Sequence, residues 1–256
     1  MQTAGMDLII EHHGAWSKLT LNRPAARNAL NTGLLADLAD ALDALKANPQ
    51  TRVVMLCGAD GHFAAGADIS EIETKTALDA ALDPRKAHWA RIRAFPKPLI
   101  AAVDGFCLGG GFELALMADC LIAGATARFG LPESNLGLIP GAGGTQRLLS
   151  LVGRARATRM ILLGEIIPAT TAEAWGIAAW ATPGSAIPEA CALAEKLSQR
   201  APLALQAAKA ALVEGAEANL AFASERNHFE ALLDTLDKVE GLRAFREKRA
   251  PAFRGE

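Results

Sequence analysis

The sequence predicts an α/β fold followed by a helical C-terminal region. Two short apolar runs that end in glycine, "RVVMLCG" and "PLIAAVDG", are typical of strands buried on both faces. Strand candidates and helix candidates alternate up to about residue 187, which favours an α/β architecture. From about residue 188 the chain consists almost entirely of helix formers. We therefore predict a core of residues 1–190 and a helical subdomain of residues 191–256.

The elements of the core follow in order along the chain. "DLIIEHHGAWSKLTLN" predicts two short strands around a turn at Gly14, and "TGLLADLADALDALKAN" predicts a helix that ends near Pro49. The two buried strands come next. "GFELALMADCLIAG" predicts a helix that runs into another apolar segment, and "IPGAGGTQRLLSLVG" predicts a second helix that starts after glycines. The helical tail packs on its own core or on a neighbouring subunit, and the sequence does not decide between these.

Composition narrows the functional class. The 256 residues are 51% hydrophobic with a formal net charge of −2, which allows a sizeable core and gives no sign of a nucleic-acid or anionic-membrane partner. No apolar run is long enough for a membrane span, and the N-terminus lacks the features of a signal peptide. The four cysteines lie in apolar stretches without CxxC spacing, so we expect buried, reduced thiols and a cytoplasmic protein. We expect no metal site, because no His, Cys or Asp cluster has ligand spacing.

The stretch "GFCLGGGFELALMADC" carries the strongest chemical signal. Glycine allows close backbone approach to a ligand, and a helix start offers unpaired N–H groups with a partial positive charge. Together these features predict a site for an anion or a developing oxyanion. Glu113 follows Gly110 by three residues, which places it on the same side of the predicted helix. A glutamate in a first turn is also ordinary capping chemistry, so its position alone leaves both interpretations open.

Two further segments repeat the pattern of small residues beside a carboxylate. "HFAAGADISEIE" follows a predicted strand, and its small residues leave backbone amides accessible. "ARFGLPESNLGLIPGAGGTQRL" supplies a second carboxylate, Glu133, and a third glycine cluster. A lone loop glutamate is commonly solvated, but two amide-presenting loops with two carboxylates favour a reaction site. Nucleotide-binding loops are weak alternatives, since Gln146 replaces the last glycine of a dinucleotide fingerprint and no GK[ST] triplet occurs.

Six segments in a fixed order identify a family. They are "LNRPAARNALN", "FAAGADISEIE", "KPLIAAVDGFCLGGGFELALMADC", "FGLPESNLGLIPGAGGTQRL", "GEIIPATTAEAWGIA" and "GLRAFREKRAPAF", and they span nearly the whole chain. By these motifs the chain resembles the crotonase superfamily and looks most like an enoyl-CoA hydratase. The resemblance implies a spiral of ββα units, a helical C-terminal trimerisation region, and a homotrimer or dimer of trimers. It also implies an acyl-CoA thioester substrate and no separate cofactor, since coenzyme A is part of the substrate.

The resemblance assigns roles to five residues. In the family, two backbone amides hold the thioester oxygen, and these match Ala67 and Gly110. The two hydratase glutamates match Glu113 and Glu133, which would flank the water that adds to the β-carbon of a trans-2-enoyl-CoA. The amide of Gly141 matches one that helps to orient this water. How the two glutamates divide the proton transfers is left open.

The resemblance also implies where coenzyme A lies. Its arm would run along "RPAARNAL" and the "FAAGAD" loop, with the adenine near Ala65. The candidate contacts are Arg27, Ala64, Ala65, Gly66, Asp68, Ile69, Phe245 and Lys248. Lys248 is equally well explained as a surface lysine in a charge run. His88 and Trp89 are expected on a helix over the acyl pocket.

Three activities are compatible with these motifs. The first is hydration with both glutamates. The second is an enoyl-CoA isomerase that moves a double bond with one glutamate, and the third is a non-catalytic acyl-CoA binder. The presence of both carboxylates favours hydration, because isomerases of the family frequently keep only one.

Overall fold

A computed structural model describes residues 7–217 and 222–253, with side chains placed outside residues 214–224. The strands are β1 (Leu8–His13), β2 (Trp16–Leu21), β3 (Val53–Gly58), β4 (Leu99–Val103), β5 (Phe106–Leu108), β6 (Cys120–Ala123), β7 (Arg128–Gly130), β8 (Ile167–Pro168) and β9 (Trp180–Ala181). The helices are α1 (Thr32–Ala47), α2 (Ile69–Ile72), α3 (Ala77–Ala81), α4 (Arg85–Arg93), α5 (Gly110–Ala115), α6 (Gly144–Leu162), α7 (Ala169–Ala174), α8 (Ile187–Ser198), α9 (Pro202–Glu217), α10 (Phe222–Leu232) and α11 (Leu236–Glu247). Two 3-10 helices span Pro24–Ala26 and Pro132–Leu136.

The strands form two sheets. The larger has the order β1-β2-β3-β4-β6-β9, and the smaller has the order β5-β7-β8. β1 and β2 form the predicted antiparallel hairpin, with Gly14 at a φ of 63° in its turn. The other neighbours in the larger sheet are parallel. The predicted α/β class is therefore confirmed.

Successive strands alternate between the two sheets, which produces the spiral that the resemblance implied. β4 lies in the larger sheet, β5 lies in the smaller one, and α5 follows; β6, β7 and α6 repeat this path. The segment after β3 takes the same path, because Ala64 forms a parallel bridge with Cys107 of β5. Parallel strands end at the same edge of a sheet. The chain segments that follow Ala64, β5 and β7 therefore meet at one edge of the smaller sheet.

The predicted buried strands contact apolar residues on both faces. In β3, Val54 and Leu56 belong to the main core cluster, whereas Met55 and Cys57 face a second cluster that contains Ala190 of α8. This alternation explains why the strand is a continuous apolar run, since neither face meets water. Truncating a fully buried leucine of such a core costs about 2–5 kcal/mol.

The helical tail packs in two places. α8 contributes Ala190 and Ala194 to the cluster under the larger sheet, so the predicted boundary between residues 190 and 191 falls inside this helix. The division into two domains stays a prediction. Further along, Leu136 contacts Gly241 of α11, and the ring of Phe229 of α10 lies against Gly141. Within the described ranges, α10 and α11 therefore pack on the core of their own chain.

Two composition-based expectations can be compared with the structure. All four cysteines are free thiols, but only Cys57 and Cys107 are buried. The expectation of burial is wrong for Cys120 and Cys191, which are half-buried at the start of β6 and on α8. In the described ranges, every helix is too short or too polar to cross a bilayer.

Candidate active site

One cavity collects most of the predicted site residues. It has a volume of about 340 Å³ and lies between the glycine-bearing turns, α4, and the tail helices α10 and α11. Ten of the predicted residues line it: Arg27, Ala65, Gly66, Ala67, Ile69, Gly110, Glu113, Glu133, Gly141 and Phe245. Segments that are far apart in the sequence therefore meet around a single space.

Two backbone turns face each other across one wall of the cavity. Gly66 and Gly109 have φ values of 120° and 50°, which side chains rarely tolerate, so glycine is required at both positions. The nitrogen of Ala67 lies 3.5 Å from the point where a Cβ would begin on Gly110. Neither Ala67 nor Gly110 donates its backbone N–H to another described residue. Two neighbouring turns thus each keep a backbone donor open.

Strand pairing brings these two turns together. The Leu108 amide donates to the Ala64 carbonyl at 3.0 Å, and the Gly109 amide donates to the Gly130 carbonyl at 2.9 Å. A Cβ on Gly111 would lie 2.4 Å from the Ala64 oxygen, so the helix start approaches the neighbouring turn closely. The glycine triplet therefore sets the backbone conformation at Gly109 and the helix–strand approach at Gly111.

Glu113 lies in the first turn of α5 and is only 4% exposed. Its Oε1 accepts hydrogen bonds from the amides of Ala142 at 2.7 Å and Gly144 at 2.8 Å. Burial raises the pKa of Glu113 to about 7, with a contribution from the charge of Glu225, while the two amides oppose this rise. Gly141 lines the cavity as predicted, but the amides that contact Glu113 belong to the residues after it.

Glu133 lies in the 3-10 helix Pro132–Leu136 and has a different environment. Its Oε1 is 3.2 Å from the Cβ position of Gly109. Its Oε2 is buried, and no described residue hydrogen-bonds to it. Burial raises the pKa of Glu133 well above its ordinary value, and the negative charge of Glu113 adds to the rise. When one proton is shared by this pair, the geometry favours its placement on Glu133.

The sequence analysis missed a third buried carboxylate, Glu225 of α10. Its Oε1 accepts from the Gly143 amide at 2.6 Å, and its Oε2 accepts from the Thr145 amide at 2.7 Å and from the Thr145 hydroxyl. Burial raises the pKa of Glu225 too, although these hydrogen bonds oppose the rise. Glu225 therefore fixes the glycine cluster whose amides hold Glu113. Its separation from Gly143 by 82 residues left no local signal in the sequence.

Three predicted coenzyme A contacts are not brought to the cavity. Ala64 is fully buried, and its N–H and C=O are paired with Phe106 and Leu108, so it has no group free for a ligand. The carboxylate of Asp68 bonds to Arg23 at 2.9 Å and to Ser70. Although burial opposes it, these bonds lower the pKa of Asp68, which keeps the carboxylate charged and engaged by Arg23 and Ser70.

The third such residue is Lys248, which ends α11 with a φ of 54° and lies outside the cavity lining. Its contact with coenzyme A stays a prediction. By contrast, the guanidinium of Arg27 lies 5.4 Å from the ring centre of Phe106, and both line the cavity. Phe245 is 59% exposed and also lines it. Arg27 and Phe245 therefore mark a solvent-facing mouth.

Residues of α4 also line the cavity. Trp89 lines the cavity as predicted, whereas His88 is outside the lining. Three cationic side chains that the sequence analysis did not single out also line it: Lys75, Arg85 and Arg226. In the described part of the chain, no group of three or more His, Cys, Asp or Glu residues is placed to hold a metal ion.

Comparisons with known proteins identify the family of the chain. The model of the enoyl-CoA hydratase/isomerase family matches residues 11–256. A 2,3-dehydroadipyl-CoA hydratase of Escherichia coli is 47% identical over 97% of this chain and 99% of its own. The crystal structure of a carnitinyl-CoA hydratase from Mycobacterium avium superposes with a TM-score of 0.87 at 37% identity, covering 98% of this chain and 99% of the other. An enoyl-CoA hydratase from Mycobacterium avium subsp. paratuberculosis gives 0.87 at 31% identity, covering 97% and 99%.

Proposed function

This chain belongs to the enoyl-CoA hydratase/isomerase family, and from that premise we propose that it hydrates trans-2-enoyl-CoA thioesters to 3-hydroxyacyl-CoA. One observation carries the proposal: two buried carboxylates with unequal environments line one cavity beside two open backbone amides. Hydration needs a base for water, an acid for the α-carbon and a binding site for the developing oxyanion. The cavity offers a group for each.

The backbone amides act on the thioester oxygen. When hydroxide adds to the β-carbon, the electron pair of the double bond moves through the conjugated system onto this oxygen. The N–H groups of Ala67 and Gly110 would each donate a hydrogen bond to it. Preorganised donors of this kind lower the barrier by about 3–4 kcal/mol each, because they need no reorganisation as the charge develops.

The two glutamates divide the proton transfers according to their surroundings. Glu113 receives two amide hydrogen bonds, which favour its ionised form and fix its orientation, so it takes the proton from water. Glu133 has a buried oxygen without a partner among the described residues, which favours its protonated form, so it donates to the α-carbon. After product release, proton exchange with solvent restores the starting state.

The alternative activities account less well for the same groups. An isomerase returns the proton that it abstracts, so one carboxylate is sufficient, and the second buried carboxyl would have no task. A non-catalytic binder would have no use for a buried, coupled pair of acids, which costs folding free energy. The pair therefore favours hydration over both.

The relatives also bear on the acyl group. The Escherichia coli relative is named for 2,3-dehydroadipyl-CoA, an enoyl-CoA whose acyl chain ends in a free carboxylate. Its similarity over nearly the full length supports including such substrates in the assay. A cavity of about 340 Å³ is within the range of small-molecule sites.

For the assembly we propose a homotrimer or a dimer of trimers. Apolar side chains on the tail remain exposed in the single chain, among them Leu203 at 78% and Leu212 at 73% on α9. Large apolar side chains exposed at several positions of the tail would be covered if these helices packed against another copy of the chain. Light scattering would test this, with a mass of three or six chains expected.

The activity itself is tested by following the absorbance of the conjugated enoyl thioester. With trans-2-butenoyl-CoA we expect this absorbance to fall and a product heavier by one water to appear. A 3-enoyl-CoA is the comparison substrate. If the 3-enoyl-CoA is converted and the 2-enoyl-CoA is not hydrated, the activity is isomerisation and not hydration. If neither substrate is converted, the result favours the non-catalytic binder.

A further inference from the structure

We propose that Arg85 binds a carboxylate at the far end of the acyl chain, so that the preferred substrates are trans-2-enoyl-CoA thioesters that end in a carboxylate. The inference deepens the proposed function and rests on it, because it takes the cavity as the acyl site. It assigns the specificity to one side chain, and that side chain can be tested separately from the hydration chemistry.

Arg85 lies inside the cavity rather than on the surface. It is the first residue of α4, it is 8% exposed, and it lines the cavity together with Trp89 one turn later. Residues four apart share one face of a helix, so both side chains point the same way. A buried arginine is uncommon unless its charge is compensated.

The guanidinium of Arg85 has no hydrogen-bond partner in the described part of the chain. The nearest ion-pair contact is Glu71, with Oε2 3.7 Å from Nη1, which is too long for a hydrogen bond. The side chain carries five N–H donors, and none makes a hydrogen bond to a described residue. The donors are therefore available to a group that enters the cavity.

The acids beside Arg85 are already engaged elsewhere. Both oxygens of Glu71 accept from the Thr32 amide, at 2.9 and 3.1 Å. Asp83 bonds to Lys75 and accepts from the backbone amide of Arg85. These carboxylates are held by other donors, so they neutralise part of the charge without filling the guanidinium's hydrogen-bonding positions.

Two other cations of the cavity, Lys75 and Arg226, differ from Arg85 in this respect, and a third, Arg27, is exposed at the mouth. Lys75 is paired with Asp83, and Arg226 bonds to Glu230 at 2.8 Å and to the carbonyl oxygen of Gly141 at 3.3 Å. Burial and the charge of Arg226 lower the pKa of Arg85, while Asp83, Glu71 and Glu113 raise it. An entering carboxylate would relieve both the burial cost and the repulsion.

The position of Arg85 fits the end of a bound acyl chain. Phe245 and Arg27 mark the exposed mouth where coenzyme A would lie, whereas Trp89 and Arg85 are buried in the interior. The planar fork of a guanidinium can hold a carboxylate through two parallel hydrogen bonds. A purely apolar chain would instead leave the N–H donors of this guanidinium buried without acceptors, which disfavours its binding.

The experiment compares two substrates of equal chain length, trans-2-hexenoyl-CoA and trans-2,3-didehydroadipyl-CoA, with wild type, Arg85→Leu and Arg91→Leu. Arg91 is on the same helix but pairs with Asp40 and Asp43 at the surface, so it is a matched control. We expect wild type to prefer the carboxylated substrate by about 10-fold or more in kcat/KM. Arg85→Leu should lose about 100-fold with that substrate and less than about 3-fold with hexenoyl-CoA. Arg91→Leu should change neither value.

Calorimetry gives an independent readout that needs neither turnover nor a variant. It measures the binding of two saturated analogues, adipyl-CoA and hexanoyl-CoA, to the wild type. Tighter binding of adipyl-CoA supports the inference. Equal affinities for the two analogues would overturn the role of Arg85 and leave the hydratase function standing. An equal loss of kcat/KM with both substrates in a folded Arg85→Leu protein would do the same. Hydration of neither substrate would overturn the proposed function, and the calorimetric comparison would still decide whether the cavity selects a terminal carboxylate.

Discussion

The backbone nitrogen of Ala67 lies 3.5 Å from the point where a side chain would begin on Gly110. Both residues keep their N–H free of hydrogen bonds to the described part of the chain. In the proposed mechanism, one oxygen atom between the two turns accepts from both amides. Because the donors are backbone groups, most side-chain replacements leave them in place, and proline is the replacement that removes one.

Gly110→Pro tests this donor directly. Gly110 is the first residue of α5, a position where proline is tolerated because its missing N–H has no helical partner. We expect kcat to fall by about 10²–10³ with little change in affinity for coenzyme A. Ala67→Gly is the control, since it keeps the amide, and it should stay within about 10-fold of wild type. Wild-type turnover in a folded Gly110→Pro protein would exclude the amide from the reaction.

Glu113→Gln and Glu133→Gln remove the two proton-transfer groups while keeping size and polarity. Each should lower kcat by about 10²–10⁴ and leave acyl-CoA binding largely intact, because general acid–base groups act on the barrier rather than on binding. Steady-state rates and calorimetry measure the two effects separately. Glu165→Gln is the matched control, since Glu165 forms an exposed pair with Arg159. If either active-site variant behaves like this control, the assigned role of that glutamate is wrong.

The pH dependence of kcat/KM should be bell-shaped. Glu113 must be ionised to accept a proton, and burial raises its pKa to about 7, so the rate should rise as the pH increases through about 7. Glu133 must be protonated, and burial raises its pKa, so the rate should fall again at higher pH. The apparent pKa values of the two limbs belong to the interacting pair of glutamates rather than to either residue alone. A flat profile between about pH 5 and pH 9 would contradict the assignment.

Glu225→Gln tests whether the acid limb of this pH profile reports the pKa of Glu113. The negative charge of Glu225 contributes to the raised pKa of Glu113, so its removal should shift the acid limb to lower pH. One of the two backbone amides that Glu225 accepts from, Gly143 or Thr145, loses its acceptor, which should cost about 1–3 kcal/mol of stability. An unshifted limb would show that Glu225 acts on structure alone.

Glu133→Gln should stabilise the fold at alkaline pH. The folded-state pKa of Glu133 is raised above the unfolded value, so the wild type loses stability as the pH rises through the folded pKa. Glutamine carries no such charge, and the variant should therefore have the higher Tm at pH 8, with the difference disappearing toward pH 4, where both states of the glutamate are protonated. Thermal unfolding across this range measures it. A variant that is less stable than wild type at pH 8 would contradict the burial cost.

The sequence predicts those parts of the site that are formed by residues close together in the chain, because each of them is one contiguous motif. The glycine triplet specifies the turn at Gly109 and the close approach of Gly111, and parallel strand pairing then places the turn beside Ala67. The two continuous apolar runs predict β3 and β4 as buried strands for a similar reason. These features depend on neighbours within a few residues or on one repeated register.

Residues contributed by distant helices could not be predicted in this way. Glu225 lies in a segment whose composition predicts only a helix. Its role depends on the packing of α10 against the start of α6. Arg85 lies in a charged helix whose buried face is set by tertiary packing rather than by its own periodicity. Asp68 shows the converse, since a residue inside a motif is engaged by Arg23 instead of a ligand.

A crystal structure with an unreactive acyl-CoA thioester bound would test the central claim most directly. We expect the thioester oxygen at about 2.7–3.1 Å from both backbone nitrogens, those of Ala67 and Gly110. The carboxyl groups of Glu113 and Glu133 should face the α- and β-carbons of the same acyl chain. A thioester oxygen bound elsewhere, or only one carboxyl within reach of those carbons, would contradict the account.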